Sequence, residues 1–240
     1  MSEGQHIPYA ASALPVPHAR SVLVLAPHPD DETIGCGGSA ALYAQAGIPV
    51  RALVMTDGSL WGAPPPGMGV VEAREAETRA AAQVLGCAEP LFARHPDRHL
   101  PTGAVLVAEI VAQVRASGAD TVFAPSLWEV HPDHRVLAEA AIDALEALGA
   151  GHTLVQYEVG MPLLPNVLVD ITPVLECKHK AMACFVSQLA MQAYDRHVNA
   201  LNVFRTYTLP ASVLAAEGFR VCTPQEARDD PYGLMFQGHA

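Results

Sequence analysis

The sequence is poor in basic residues and contains no long apolar run. Its 14 lysines and arginines are outnumbered by 25 aspartates and glutamates, which gives a formal net charge of −11. A chain this acidic is a poor match for nucleic acid or for an anionic membrane surface, so we expect neither as a partner. No uninterrupted apolar run approaches the ~18 residues of a membrane-spanning helix, so we also expect no membrane insertion.

The cysteines do not form a pattern typical of a disulfide framework. Their number is odd, their spacings are irregular and no Cys-x-x-Cys occurs among Cys36, Cys87, Cys177, Cys184 and Cys222. Unpaired thiols are typical of a reducing compartment. Residues 1–21 lack the basic start and the apolar core of a signal peptide. We therefore expect a cytoplasmic protein.

The length and composition predict one large α/β domain, since the chain has 240 residues and is 50% hydrophobic. We expect an N-terminal arm over 1–20, the domain over 21–230 and a C-terminal tail over 231–240. Apolar runs predict strands at 21–25, 49–55, 91–93, 121–124, 153–159 and 167–169. Helices are predicted between or after them at 29–47, 71–86, 101–117, 135–149, 176–192 and 212–217. This alternation predicts a Rossmann-like three-layer sandwich with a mostly parallel sheet.

Ionisable side chains cluster directly after the first predicted strand, at His28, Asp30, Asp31 and Glu32. Packed against the end of a buried strand, these groups would repel and desolvate one another, and a cation is the simplest relief. Histidine nitrogen and carboxylate oxygen form a ligand set that zinc accepts. The cluster therefore predicts a metal site.

A second motif, His131-Pro-Asp133-His134, follows the strand predicted at 121–124. Parallel strands end at the same edge of a sheet, so the two motifs can converge there. Residues three apart on a first helical turn share a face, which pairs His28 with Asp31 and His131 with His134. We predict that His28, Asp31 and His134 bind one zinc ion per chain and leave a position open for water. Iron(II) in place of zinc stays open.

The remaining residues of the two motifs suggest catalytic roles. Asp30 is the predicted general base for the water. His131 is predicted to stabilise the oxyanion or to protonate the leaving amine. Asp133 is predicted to orient the His131 ring or the ring of a metal ligand.

The motif set P-H-P-D-D-E with G-C-G-G, T-D-G-S and H-P-D-H resembles the PIG-L/LmbE-type zinc-dependent N-deacetylases. The resemblance covers most of the chain. It implies a Rossmann-like fold and removal of acetyl from an N-acetylglucosamine-type sugar in a glycoconjugate or small metabolite, and it agrees with the ligand and base assignments above. It also implies substrate contacts at Arg74 and Asp97, and a substrate-dependent position at Ser59. A homo-oligomer stays open.

Three other functions compete with this interpretation. One is hydrolysis of another N-acyl amide, on an antibiotic or a lipid intermediate. Another is a catalytically silent relative that acts as a binding protein. The third is a dinucleotide-binding domain, because Gly35-x-Gly37-Gly38 follows the first strand and Asp57 lies about 20 residues on. The glycines do not complete a G-x-G-x-x-G pattern, however, and the nearby carboxylates would repel a pyrophosphate.

Overall fold

An eight-stranded sheet forms the centre of the structure, a computed structural model that describes residues 11–234. Its order is β1-β7-β8-β6-β5-β2-β3-β4. Neighbouring strands are parallel except where β8 pairs with β6 and β7. The strands are β1 (Ala11–Ser12), β2 (Val22–Ala26), β3 (Val50–Thr56), β4 (Leu91–His95), β5 (Thr121–Pro125), β6 (Thr153–Tyr157), β7 (Val167–Asp170) and β8 (Ala216–Cys222).

Helices cover both faces of the sheet, so the predicted α/β three-layer fold is confirmed. Helices α1, α2 and α5 pack on the face that carries Val22 and Val24 of β2. Helices α3, α4 and α8 pack on the opposite face, against Leu23 and Leu25. The helices are α1 (Asp31–Gln45), α2 (Val70–Leu85), α3 (Ala104–Ser117), α4 (Pro132–Leu148), α5 (Leu175–Met182), α6 (Val186–Leu189), α7 (Tyr194–Phe204) and α8 (Pro224–Asp229).

The structure corrects the predictions for the C-terminal third. The helix predicted over 176–192 is broken into α5 and α6, because the backbone N–H and the hydroxyl of Ser187 both bind Glu77 and fix the second piece separately. The helix predicted over 212–217 is wrong, since the chain there enters β8, which fills the gap between β6 and β7. Helix α7 was not predicted.

The predicted arm and tail lie partly outside the described residues, which exclude 1–10 and 235–240. Within the arm, β1 pairs in parallel with β7. Within the tail, the Tyr232 ring packs on Trp128 at 5.0 Å between centroids. The domain boundaries stay predictions. Among residues 11–234, every helix is too short or too polar to cross a bilayer.

The site is positioned by the strand order around β2. From β2 the chain builds the sheet outward on one side as β3 and β4, and then returns to add β5 and β6 on the other side. The carboxyl ends of β2 and β5 therefore lie side by side where the winding reverses. Ligands in such sheets bind at this switch point.

A buried ion pair joins α5 to β8 beneath α1. The Lys178 ammonium lies 2.7 Å from the Glu217 carboxylate, which also accepts hydrogen bonds from the backbone N–H groups of Gly38 and Ser39. These N–H groups lie just after Cys36, where the backbone of α1 is non-helical. Glu217 therefore stabilises a kink in the helix that begins with Asp31.

Substituting Lys178 tests this pair. We expect Lys178→Met to lower the free energy of unfolding by about 3 kcal/mol, because it leaves a buried carboxylate without its cation. Urea denaturation measures the change. Lys180→Met is the matched control: this exposed lysine pairs with Glu176 on the same helix, and its loss should leave the midpoint nearly unchanged. Equal losses in both variants would contradict the assignment.

Candidate metal centre and active site

The two metal-type motifs meet at the adjacent ends of β2 and β5, as predicted. His28 lies in the loop after β2, and Asp31 begins α1. Across the switch point, His131 caps α4, Pro132 takes its first position and His134 lies in its first turn. Residues from distant parts of the sequence therefore share one buried pocket floor.

Three donor atoms form a nearly equilateral triangle between the motifs. His28 Nδ1, Asp31 Oδ2 and His134 Nε2 lie 3.2 Å from one another. Zinc bonds of about 2.0–2.1 Å at tetrahedral angles would separate such ligand atoms by roughly 3.3 Å. The spacing of the triangle therefore fits one zinc-sized cation.

The charges around the triangle also favour a cation. Burial lowers the pKa of His28, but hydrogen bonds to Asp133 and two further carboxylates raise it well above the usual range. Burial likewise lowers the pKa of His134, but Asp31 and Glu129 raise it to about 9. Positive charge between these crowded carboxylates therefore stabilises them, and either protons on the histidines or a metal ion can supply that charge.

Carboxylates outside the triangle hold the two imidazole rings. Asp133 Oδ2 lies 3.2 Å and Asp97 Oδ1 lies 3.3 Å from His28 Nε2. Such contacts fix the orientation and tautomer of a metal-binding ring. A second set of possible metal ligands consists of His28, Asp97, His131 and Asp133, since one donor atom of each lies within 4.8 Å of the other three. His28 belongs both to this set and to the triangle.

Glu129 is a site residue that the sequence reasoning missed. It is buried, and its Oε2 lies 3.4 Å from His134 Nδ1, on the ring edge opposite the triangle. Backbone N–H groups of Val159 and Gly160 also donate to Glu129. Glu129 therefore connects the loop after β6 to the metal group, which consists of His28, Asp31 and His134. The available signal was an acidic residue two positions before His131, in the loop that follows β5.

Asp30 lies beside the triangle, with its carboxylate 3.3 Å from the Arg74 guanidinium. Burial raises the pKa of Asp30 to about 7, although Arg74 opposes the rise. The residue also has a left-handed backbone, with φ of 109°, which is strained for a side chain other than glycine. A buried carboxyl with a near-neutral pKa suits a general base.

His131 is half-buried and meets the His28 ring edge-on at 4.6 Å between centroids. Its Nδ1 accepts a hydrogen bond from the backbone N–H of Asp133, so the neutral ring carries its proton on Nε2. Burial lowers the pKa of His131, and the cationic rings of His28 and His134 lower it further. The ring is therefore a neutral hydrogen-bond donor near pH 7.

The three predicted substrate residues have different surroundings. Arg74 is buried, and its two terminal nitrogens donate to the carbonyls of Gly58 and Pro29 and to Asp30, while its Nε has no hydrogen-bond partner among the described residues. Asp97 is buried against the metal group. Ser59 is exposed and lies outside the cavity lining. Their roles as substrate contacts stay predictions.

A cavity of about 650 Å³ opens above the metal group. Its floor contains Asp30, His131 and the three atoms of the triangle, and its walls come from residues 60–61, the loop after β6 and α7. This volume accommodates a small-molecule ligand. The cavity lies at the switch point, where the fold predicts ligand binding.

The glycines that suggested a dinucleotide site pack against protein instead. A Cβ on Gly35 would lie 2.2 Å from the Tyr157 ring, and one on Gly38 would lie 2.7 Å from Ile171. These glycines therefore allow α1 to approach its neighbours and leave no room there for a pyrophosphate. Asp57 accepts hydrogen bonds from its own loop and from the backbone of Asp97.

A buried acid beside a His/Asp metal group, at the floor of a switch-point cavity, defines a metal-assisted hydrolase. The model of the PIG-L family, described as GlcNAc-PI de-N-acetylase, matches residues 23–145, and the chain belongs to this family of N-deacetylases. Deacetylases of this family are metal-dependent, and the His and Asp group could hold the metal.

Several known proteins with similar sequences or structures are deacetylases. The diacetylchitobiose deacetylase of Thermococcus kodakarensis is 30% identical in an alignment 199 residues long, which covers 75% of this chain and 74% of that protein. A probable N-acetyl-α-D-glucosaminyl L-malate deacetylase 2 of Bacillus anthracis is 28% identical, over 73% and 84% of the two chains. The solved N,N'-diacetylchitobiose deacetylase from Pyrococcus horikoshii, in complex with an inhibitor, superposes with a TM-score of 0.78 at 26% identity, over 92% and 90%.

Proposed function

We propose that this chain is a zinc-dependent hydrolase that removes the acetyl group from an N-acetylated amino sugar of the N-acetylglucosamine type. The carrier of the sugar is a glycoconjugate or a small metabolite. The observation that carries the proposal is the triangle of His28 Nδ1, Asp31 Oδ2 and His134 Nε2, with the Asp30 carboxyl in the same cavity. The sugar substrates in the names of the two similar deacetylases, from Thermococcus kodakarensis and Bacillus anthracis, support the choice of acceptor.

In this proposal His28, Asp31 and His134 hold the zinc ion. When bound, zinc would polarise the acetyl carbonyl and lower the pKa of a water toward about 7. Asp133 and Asp97 hold the His28 ring from its other edge, and Glu129 holds the His134 ring. These contacts keep the donor atoms aimed at one point, which a weakly held ring would not do.

Asp30 acts as the general base. Its carboxylate takes a proton from the attacking water as the oxygen bonds to the acetyl carbon. When the carbon–nitrogen bond breaks, Asp30 returns that proton to the departing amine, and the products are acetate and the free amino sugar. Arg74 keeps the carboxyl in place through its contact with Asp30 and with the neighbouring loop carbonyls.

His131 stabilises the oxyanion. The backbone N–H of Asp133 occupies Nδ1, so the proton on Nε2 is free to donate to the developing negative charge. A neutral ring suits this role because it gains a hydrogen bond in the transition state without first losing a proton. Protonation of the leaving amine would instead require a charged ring, which the lowered pKa of His131 disfavours.

Acetate release from a panel of N-acetylglucosaminyl compounds tests the function. We expect the zinc-loaded protein to deacetylate at least one of them and to leave matched N-propionyl or O-acetyl compounds less affected. A zinc-loaded protein that releases acetate only from amides without a sugar would favour the alternative, hydrolysis of another N-acyl amide.

Metal removal gives a further prediction. Dialysis against a strong chelator should abolish acetate release, because the water then keeps its ordinary pKa, and it should lower the thermal midpoint, because a ligand bound only by the folded state stabilises it. Zinc should restore both. If iron(II) under anaerobic conditions restored turnover and zinc did not, the catalytic metal would be iron(II) instead of zinc.

Cellular location and assembly are also part of the proposal. Five cysteines without a disulfide in the structure agree with a reducing cytoplasm, where we place the enzyme. Sedimentation of the purified chain distinguishes a monomer from a homo-oligomer.

A further inference from the structure

The cavity has an apolar wall beyond the metal group. Six of its side chains are Leu60, Trp61, Val130, Val159, Val198 and Leu201. They come from the loop after β3, the loops after β5 and β6, and helix α7, so the apolar surface surrounds the cavity. Its floor, in contrast, is made of histidines and carboxylates.

Three polar side chains in this wall have protein partners. Gln188 donates to the Trp61 carbonyl at 3.1 Å, and Asn202 donates to the Ala216 carbonyl at 3.2 Å. Glu158 is paired with Arg205. Hydroxyls of a second sugar ring would have to compete with protein groups for these three side chains, because specific binding of hydroxyls needs complementary polar groups. The other polar side chains of the wall include Arg98, Gln192 and His197, which are exposed.

The apolar residues at the mouth remain open to solvent. Leu60 is 60% exposed, Val130 is 64% exposed and Trp61 is 48% exposed, and all three line this one cavity. Single exposed apolar residues are ordinary, but a cluster at a binding cavity marks a surface that a ligand covers. The flat Trp61 ring offers a large contact area at low entropic cost.

We propose that this outer part of the cavity binds an apolar aglycone, so that the preferred substrate is an N-acetyl amino sugar that carries an alkyl or aryl group. The inference rests on the function proposed above. The acetamido group would reach the metal group while the aglycone lies between Trp61 and Val130. An anionic bilayer is a poor alternative occupant, because the chain has a net charge of −11.

The test compares methyl, butyl and octyl N-acetyl-β-D-glucosaminides with the zinc-loaded full chain, below micelle-forming concentrations. A fully buried methylene changes affinity by about fourfold. With partial burial we expect kcat/KM for acetate release to rise at least tenfold from methyl to octyl, mainly through KM. Titration calorimetry with the same glycosides measures binding without turnover and should show the same order.

Variants locate the effect. Leu60→Ala and Trp61→Ala should each reduce the octyl-to-methyl ratio of kcat/KM to about one third or less. Leu214→Ala is the matched control, since Leu214 is also 60% exposed but lies outside this cavity, and its ratio should not change. The Trp61 backbone carbonyl, which binds Gln188, is retained in the alanine variant.

The outcomes separate the two proposals. Acetate release at equal kcat/KM from all three glycosides would overturn the apolar subsite and leave the deacetylase function standing. No acetate from any glycoside would count against the function, and equal affinities in calorimetry would then overturn the subsite as well. A loss of oligomer in Leu60→Ala with an unchanged ratio would mark these residues as a subunit contact and overturn the proposal.

Discussion

Asp30→Asn should lower kcat about a thousandfold while the protein keeps its metal. The amide has nearly the shape of the carboxylate but cannot accept the proton of the attacking water, and general bases contribute roughly 10²–10⁴ in rate. Asp30 contributes no atom to the triangle, so metal content should stay the same. Steady-state acetate release and elemental analysis on the same preparation provide both measurements.

The control for this variant is Asp195→Asn, which removes an exposed carboxylate in the first turn of α7. It should behave as the parent protein, which excludes a general effect of charge. Turnover of Asp30→Asn within tenfold of the parent would show that another group takes the proton. Loss of metal in this variant would mean that Asp30 belongs to the ligand set.

His134→Ala should bind metal weakly and lose at least 10⁴-fold in turnover. Its Nε2 is one corner of the triangle, and two remaining protein ligands do not make the three that catalytic zinc sites use. The substitution also removes the imidazole ring that faces Glu129, so this buried carboxylate keeps only its backbone N–H donors. Metal content after dialysis and acetate release measure the two effects.

His152→Ala is the matched control for this experiment. His152 is half-buried just beyond the other end of α4, and its Nδ1 lies 3.4 Å from the Gly149 carbonyl oxygen. Its loss should change neither metal content nor rate. A His134→Ala protein that retains one tightly bound zinc per chain would transfer the ligand role to His131, which has a donor atom within 4.8 Å of donor atoms of His28 and His134.

The centre of the fold and the meeting of the two motifs could be predicted from the sequence. Strands β2 and β5 are short, apolar runs with sharp ends, and parallel strands end at a common edge whatever their order. The convergence of His28 and His134 follows from that rule alone. Nδ1 of His28 and Nε2 of His134 lie 3.2 Å apart.

The C-terminal third was harder to predict because long-range contacts determine it. Strand β8 contains Glu217 and Arg220, which a sequence pattern assigns to the surface, yet both are buried. Glu217 pairs with Lys178, which is 39 positions away in the sequence. Arg220 donates to Gln156 of β6 as well as to the carbonyls of Glu226 and Pro231. The contact of Glu129 with His134 could not be predicted for a similar reason. An acidic residue near a histidine in the sequence indicates no contact by itself, because the fold decides which side chain the imidazole ring faces.

The separation of the two motifs along the chain has a consequence for how the enzyme is assembled. His28 and His134 are 106 positions apart, so their nitrogens meet only after β2 and β5 have paired. The segment between the two histidines must therefore fold before both of them can bind one metal ion. A nascent polypeptide should therefore bind its metal ion only after residue 134 has left the ribosome. During refolding, the rate of metal uptake would report when β2 pairs with β5.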